Sequence, residues 1–182
     1  HYADLPEEIK NISADISIIN LGSESRKLID TGENGLYEII LPDGDYQITA
    51  ETEVSESYGV VTYRDSKNIK LDNSKIVNFD LSKVKSYGVE IGNLESKVAE
   101  QGDNVAFFVN LKNNGNTEDT YKISPVDSPW EIEFKPSKIK IEPKQTKRIE
   151  IAVKVDEDAI VDHVPIRFKV SSINSDEESQ KT

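Results

Sequence analysis

Two histidines, no cysteine and 34 acidic side chains bound the chemistry open to this 182-residue chain. His163 follows Asp162, but no Ser stands on a Gly-x-Ser-x-Gly elbow to complete a hydrolase triad, and His1 is terminal. Two histidines cannot build a zinc cage, and without cysteine there is no thiolate nucleophile, iron–sulfur site or disulfide framework. Glu131 and Glu133 have the residue type for general acid–base work, which also requires a cleft and a desolvating wall. Two residues apart on an expected strand, they share its wet face instead. Calcium is the other chemistry to weigh. Asp30, Glu33, Asp43 and Asp45 fall on expected loops, where hard cations gather oxygens, although their spacing matches no EF-hand. The runs Asp156-Glu157-Asp158 and Asp176-Glu177-Glu178 read as solvated turns. Trp130 has the ring to stack on a sugar, but it shares a face with Ile132 and Phe134 and is expected in the core. Tyr58, Tyr63 and Tyr87 are freer in phase, and the region of Tyr87 is where a ligand groove is expected. Asn11-Ile12-Ser13 satisfies the acceptor pattern for N-glycosylation. No catalytic residue and no cofactor are expected.

The elements that must carry these residues alternate with a period of two. Ile149, Ile151, Val153 and Val155 face one way against Arg148, Glu150 and Lys154, and Val105, Phe107, Val109 and Leu111 repeat the pattern. Ile166, Phe168 and Val170 predict a further strand, and no strand is expected after Ser175. In the first half, the pattern predicts strands over 15–20, 27–30, 59–64, 68–71 and 75–81. Tyr37, Ile39 and Leu41, then Tyr46, Ile48 and Ala50, predict a β-hairpin turning at Pro42-Asp43-Gly44, with Gly44 left-handed. Residues 82–92 read as the boundary between two modules, 1–82 and 83–182. The expected fold class is all-β, as two tandem sandwiches of Ig-like or prealbumin-like type.

Composition sets the partners. An excess of 34 acidic over 22 basic residues gives a formal charge of −12, which repels phosphate backbones and anionic lipid, so no nucleic acid is expected. No stretch approaches the ~20 continuous apolar residues of a membrane span, and no direct insertion by this chain is expected.

Thr31-Gly32-Glu33-Asn34-Gly35-Leu36-Tyr37-Glu38-Ile39 and Leu41-Pro42-Asp43-Gly44-Asp45-Tyr46-Gln47-Ile48 resemble the core of the carboxypeptidase regulatory-like (transthyretin-like) domains. Asn113-Asn114-Gly115-Asn116-Thr117-Glu118-Asp119-Thr120-Tyr121, Trp130 and Ile141-Glu142-Pro143-Lys144-Gln145-Thr146 are similar to the Ig-like domain attached to bacterial galactosidases and to prokaryotic surface proteins. That pattern carries one more strand after position 182, so either the chain stops short of it or the sheet lacks that edge. The resemblances imply a non-catalytic spacer or stalk of an extracellular or cell-envelope protein, part of an anchored or secreted parent. Other envelope proteins or parent domains are the implied partners. The alternative is a carbohydrate-binding accessory module of a larger glycosidase.

Overall fold

The computed structural model describes residues 13–160, 164–176 and 178–181, and among them every regular element is a strand. The chain divides into two compact units, His1–Val84 and Lys85–Thr182.

The first unit is one five-stranded antiparallel sheet in the order β2-β1-β3-β4-β5. Its strands are β1 (Asp15–Asn20), β2 (Arg26–Asp30), β3 (Gly44–Glu56), β4 (Gly59–Leu71) and β5 (Ser82–Lys83). Thirteen-residue β3 and β4 form its hairpin through Ser57-Tyr58, with Gly59 at φ 132°, a value open to glycine and strained for other residues. Ile16, Ile18, Tyr46, Ile48, Ala50, Val61 and Tyr63 point to one face and are buried there. Two extended segments cover that face. Tyr37, Ile39 and Leu41 dip into it from residues 36–41, and Val77, Phe79 and Leu81 from residues 75–81.

The expected strands over 37–41 and 75–81 are therefore not strands, and the hairpin is not the one at Pro42. Among the described residues no backbone ladder joins these segments to a neighbour. Their alternation arises from burial alone, and side chains serve their backbone instead. The Lys67 ammonium donates to the Asn78 carbonyl, the Asp80 N–H donates to Asp65 Oδ2 at 3.0 Å, and the Tyr37 hydroxyl donates to the Val77 carbonyl at 3.2 Å. Asp65 and Lys67 are polar residues on the inner face of β4, which also makes the two expected strands 59–64 and 68–71 one continuous strand. At Pro42 the carbonyl accepts the Tyr46 hydroxyl at 2.8 Å, and Gly44 opens β3 without a left-handed turn.

Ile16, Ile48 and Ala50, each at most 3% exposed, form the floor of the space between these two layers.

The second unit has two four-stranded antiparallel sheets packed around one core, a β-sandwich arrangement. One runs β6-β7-β11-β9, with β6 (Val89–Ile91), β7 (Asn104–Asn113), β9 (Glu131–Lys135) and β11 (Thr146–Lys154). The other runs β10-β8-β12-β13, with β8 (Asp119–Pro125), β10 (Lys138–Ile141), β12 (Phe168–Ser172) and β13 (Glu178–Lys181). Val109, Leu111, Ile149, Ile151 and Val153 from the first sheet meet Tyr121, Ile123, Phe168 and Val170 from the second. Trp130 is half-buried against the same core.

The expectation of no strand after Ser175 is overturned. The chain turns at 173–176 and returns as β13, antiparallel to β12 from Ser171↔Glu178 to Phe168↔Lys181. An edge strand needs backbone pairing more than apolar periodicity, and Glu178-Ser179-Gln180-Lys181 has none to display. A chain ending at Asp176 leaves the β12 edge bare. We expect it to lose about 1–3 kcal/mol of unfolding free energy and to self-associate in sedimentation velocity; behaviour identical to the full chain would show that β13 contributes nothing.

Candidate functional site

Two groups of hydrogen-bonded polar side chains stand out, one near the end of the first unit and one within the second. In the first group, Glu56 and Tyr58 stand at the tip of the β3–β4 hairpin and Lys83 lies in β5. The Tyr63 hydroxyl donates to Glu56 Oε1 at 2.7 Å, and the Lys83 ammonium reaches the same carboxylate at 3.4 Å. That ammonium also sits 4.7 Å from the centroid of the Tyr58 ring and bonds its hydroxyl. Burial alone would raise the Glu56 pKa; hydrogen bonds from Tyr58 and Tyr63 and the charge of Lys83 outweigh it and hold the carboxyl below its usual value. Burial first, then Glu56, pushes the Tyr63 phenol up to about 12. The next backbone N–H, that of Val84, donates to the Thr62 carbonyl at 2.8 Å.

In the second unit the loop after β7 is folded around Asn113, which is fully buried. Its Nδ2 donates to the carbonyls of Thr117 and Ile141, each at 2.9 Å, and its Oδ1 accepts the Gly115 N–H at 2.8 Å. The loop so shaped grips residues 86–88. Ser86 N–H donates to Asn116 Oδ1 at 2.8 Å, Asn116 N–H returns to the Ser86 carbonyl at 3.1 Å, and Gly88 O accepts both Asn114 N–H and the Tyr121 hydroxyl at 2.9 Å. A Cβ on Gly115 would lie 2.4 Å from the Ser86 carbonyl oxygen, so this close approach requires glycine. The sequence showed these residues as a turn; it carried no sign that their amides would hold a segment some thirty residues earlier.

Asp119 lies beside this grip and is 1% exposed. Its Oδ1 accepts Thr120 N–H and Asn174 Nδ2, both at 2.7 Å, whereas Oδ2 has no hydrogen-bond partner among the described residues. Burial, and then the neighbouring Asp119 carboxylate, raises the Tyr121 pKa far above the ordinary phenol range.

The calcium candidates are not brought together. Asp30 ends β2 and Asp45 lies in β3, so neither is on a loop, while Glu33 and Asp43 lie in the connections between those strands. Among the described residues no three His, Cys, Asp or Glu side chains converge on a metal-sized space. What Asp30 does meet is Asp15, directly across the β1–β2 ladder, with Glu51 opposite Asp15 on the other side. Hydrogen bonding to Asp30, with the negative charges around it, raises the Asp15 pKa. Glu131 and Glu133 are exposed, and Glu133 pairs with Lys135 at 2.9 Å. Phe108 is an exposed aromatic ring that the sequence did not single out, and the Arg148 guanidinium covers it at 4.0 Å, so it offers no open platform to a sugar. Tyr63 is buried, and Tyr58 and Tyr87 are half-buried. Asn11, Asp162, His163 and Glu177 lie outside the described residues.

No family model, no curated protein and no solved structure matches this chain.

Two expectations follow from these clusters. Asp119→Asn keeps the Oδ1 acceptor and turns the orphaned oxygen into a donor facing the Tyr121 hydroxyl, so urea unfolding should show equal or greater stability; Asp119→Ala should cost about 1–3 kcal/mol. The pH dependences of two carboxyls run in opposite senses. A lowered pKa stabilises the fold above the ordinary carboxyl value of 4.5 and loses that effect as pH falls through the folded-state pKa, so Glu56→Gln is less stable than the parent at pH 7 and converges with it in acid. Asp15, with a raised pKa, contributes below its ordinary value of 3.8 and loses that contribution as pH rises. Asp15→Asn is therefore slightly more stable than the parent at pH 7, and that gain disappears in acid. Parallel pH curves for parent and variant would contradict either assignment.

Proposed function

We propose that the chain is a non-catalytic structural and interaction module, a spacer within a prokaryotic cell-surface or secreted protein. On this reading the first unit is a carboxypeptidase regulatory-like (transthyretin-like) domain and the second an Ig-like one, acting outside the cell or in its envelope. Its partners are other envelope proteins or neighbouring domains of the parent chain. The resemblance carried by residues 31–48 and 113–146 supports the assignment, and so does a site chemistry of clasps without a nucleophile and base.

The observation that carries the spacer role is that each unit ties down its own end of the chain. Val84 N–H is bonded back to Thr62 and Ser86 N–H forward to Asn116, so only Lys85 stands between the two anchored positions.

Nitrogen-15 relaxation on the intact chain tests this directly. The amides of Val84 and Ser86 should report order parameters as high as those of the strands beside them, about 0.85. Order parameters below about 0.6 at both amides would remove the basis for a spacer.

A further inference from the structure

The chain contains two Asn-Gly pairs, and they stand in opposite surroundings. We propose that Asn34 is a site of spontaneous, non-enzymatic deamidation in the folded protein, and that Asn114 is protected from the same reaction by the fold. Both pairs have the sequence chemistry: the following glycine carries no Cβ to hinder its backbone nitrogen from attacking the asparagine amide carbon. The structure separates them.

Asn34 is exposed in the connection between β2 and β3. Its Oδ1 accepts the Leu36 N–H at 3.1 Å, which folds the side-chain amide back over the Gly35 peptide and polarises the carbonyl under attack. Gly35 has φ 70°, and its N–H has one tether, to the Gly32 carbonyl at 2.8 Å. Around it stand Gly32, Glu33 and Leu36, all exposed, so a change of turn geometry displaces no core side chain.

At the second pair, Asn114 N–H is held by Gly88 O, its Nδ2 by Glu90 at 3.2 Å, and Gly115 N–H by the buried Asn113 amide at 2.8 Å. Gly115 itself is buried against Ser86 with no room for movement toward it. Bringing its nitrogen onto Asn114 requires dismantling the grip on residues 86–88.

The reaction balances without a cofactor. The Gly35 nitrogen bonds to Asn34 Cγ, the Cγ–Nδ2 bond breaks, and ammonia leaves with the proton that the backbone nitrogen gives up. Water then opens the five-membered imide at either carbonyl carbon, giving aspartate or isoaspartate. The net change is one amide and one water to one carboxylate and one ammonium, which adds a negative charge beside Glu33. The isoaspartate product also lengthens the main chain of the turn by one methylene.

The intact chain, incubated at mildly alkaline pH and followed by peptide mapping and ammonia release, tests the proposal. Mass gain should appear at Asn34 at least about fivefold faster than at Asn114, the ratio that one additional hydrogen bond of ordinary net strength imposes. In urea the two rates should converge, because both sites are then equally free. Asn34→Gln should abolish the early ammonia without altering folding, since the side chain is exposed. Equal rates at the two sites in the folded chain, or faster gain at Asn114, would overturn the proposal; so would an Asn34 rate that rises as steeply in urea as that of Asn114.

Discussion

Each residue of an extended segment brings a backbone donor and acceptor into the fold, and where water is scarce both must be paired. This chain meets that obligation in two ways. Most segments pair with each other in antiparallel ladders. Where no ladder is available, a side chain takes its place: Lys67 and Asp65 for residues 78–80, Thr31 Oγ1 for the Ala14 N–H, Asn113 for the loop around Gly115. Each of these side-chain bonds fixes a piece of chain at or beyond the end of a ladder. Asn113 makes the point best, because its three bonds shape the loop whose other amides then hold residues 86–88.

The same obligation explains the surface. Ladders end at edges, and the edge strands here carry charge: Arg26, Lys27 and Asp30 on β2, Glu131, Glu133 and Lys135 on β9, Lys138 and Lys140 on β10. Charged edges oppose strand-to-strand association at the places where unpaired backbone would invite it. Most of these charges are solvated, and exposed pairs such as Lys135–Glu133 add little stability. The net charge of −12 thus accords with keeping copies of the chain apart in solution more than with stabilising the fold.

Period-two alternation made the β class and the inward residues of β7, β11 and β12 legible, because in those strands burial and pairing coincide. They part company at residues 36–41 and 75–81. There Tyr37, Ile39, Val77 and Phe79 alternate as a strand would, yet among the described residues no backbone ladder runs along them. Alternation reports which face is buried and says nothing about a ladder. The converse holds at β13, where pairing exists without an apolar residue to signal it, and at Asp65-Ser66-Lys67, where inward polar residues look like a break in what is one strand. The clasps at Glu56–Lys83 and Asn113–Asn116 were equally silent. A side-chain hydrogen bond between positions about thirty apart leaves no periodic trace in a sequence.

The two ways of pairing also divide the molecule energetically. In the second unit the cluster of buried apolar residues lies between two sheets, so exposing it means breaking a ladder. In the first unit the cluster lies between one sheet and a layer that, among the described residues, no ladder holds. Lifting residues 36–41 or 75–81 from that layer breaks a handful of bonds and no ladder, so local opening there costs less than opening any strand beneath it. The outward residues of the same layer are Leu36, Ile40 and Ile76, 70%, 94% and 92% exposed. Glu38 and Lys75 interrupt them, which keeps the exposed apolar surface from becoming continuous. The weakest tether and the most apolar surface of the first unit therefore fall on the same two segments, and charge placed between the apolar residues is what limits the consequence.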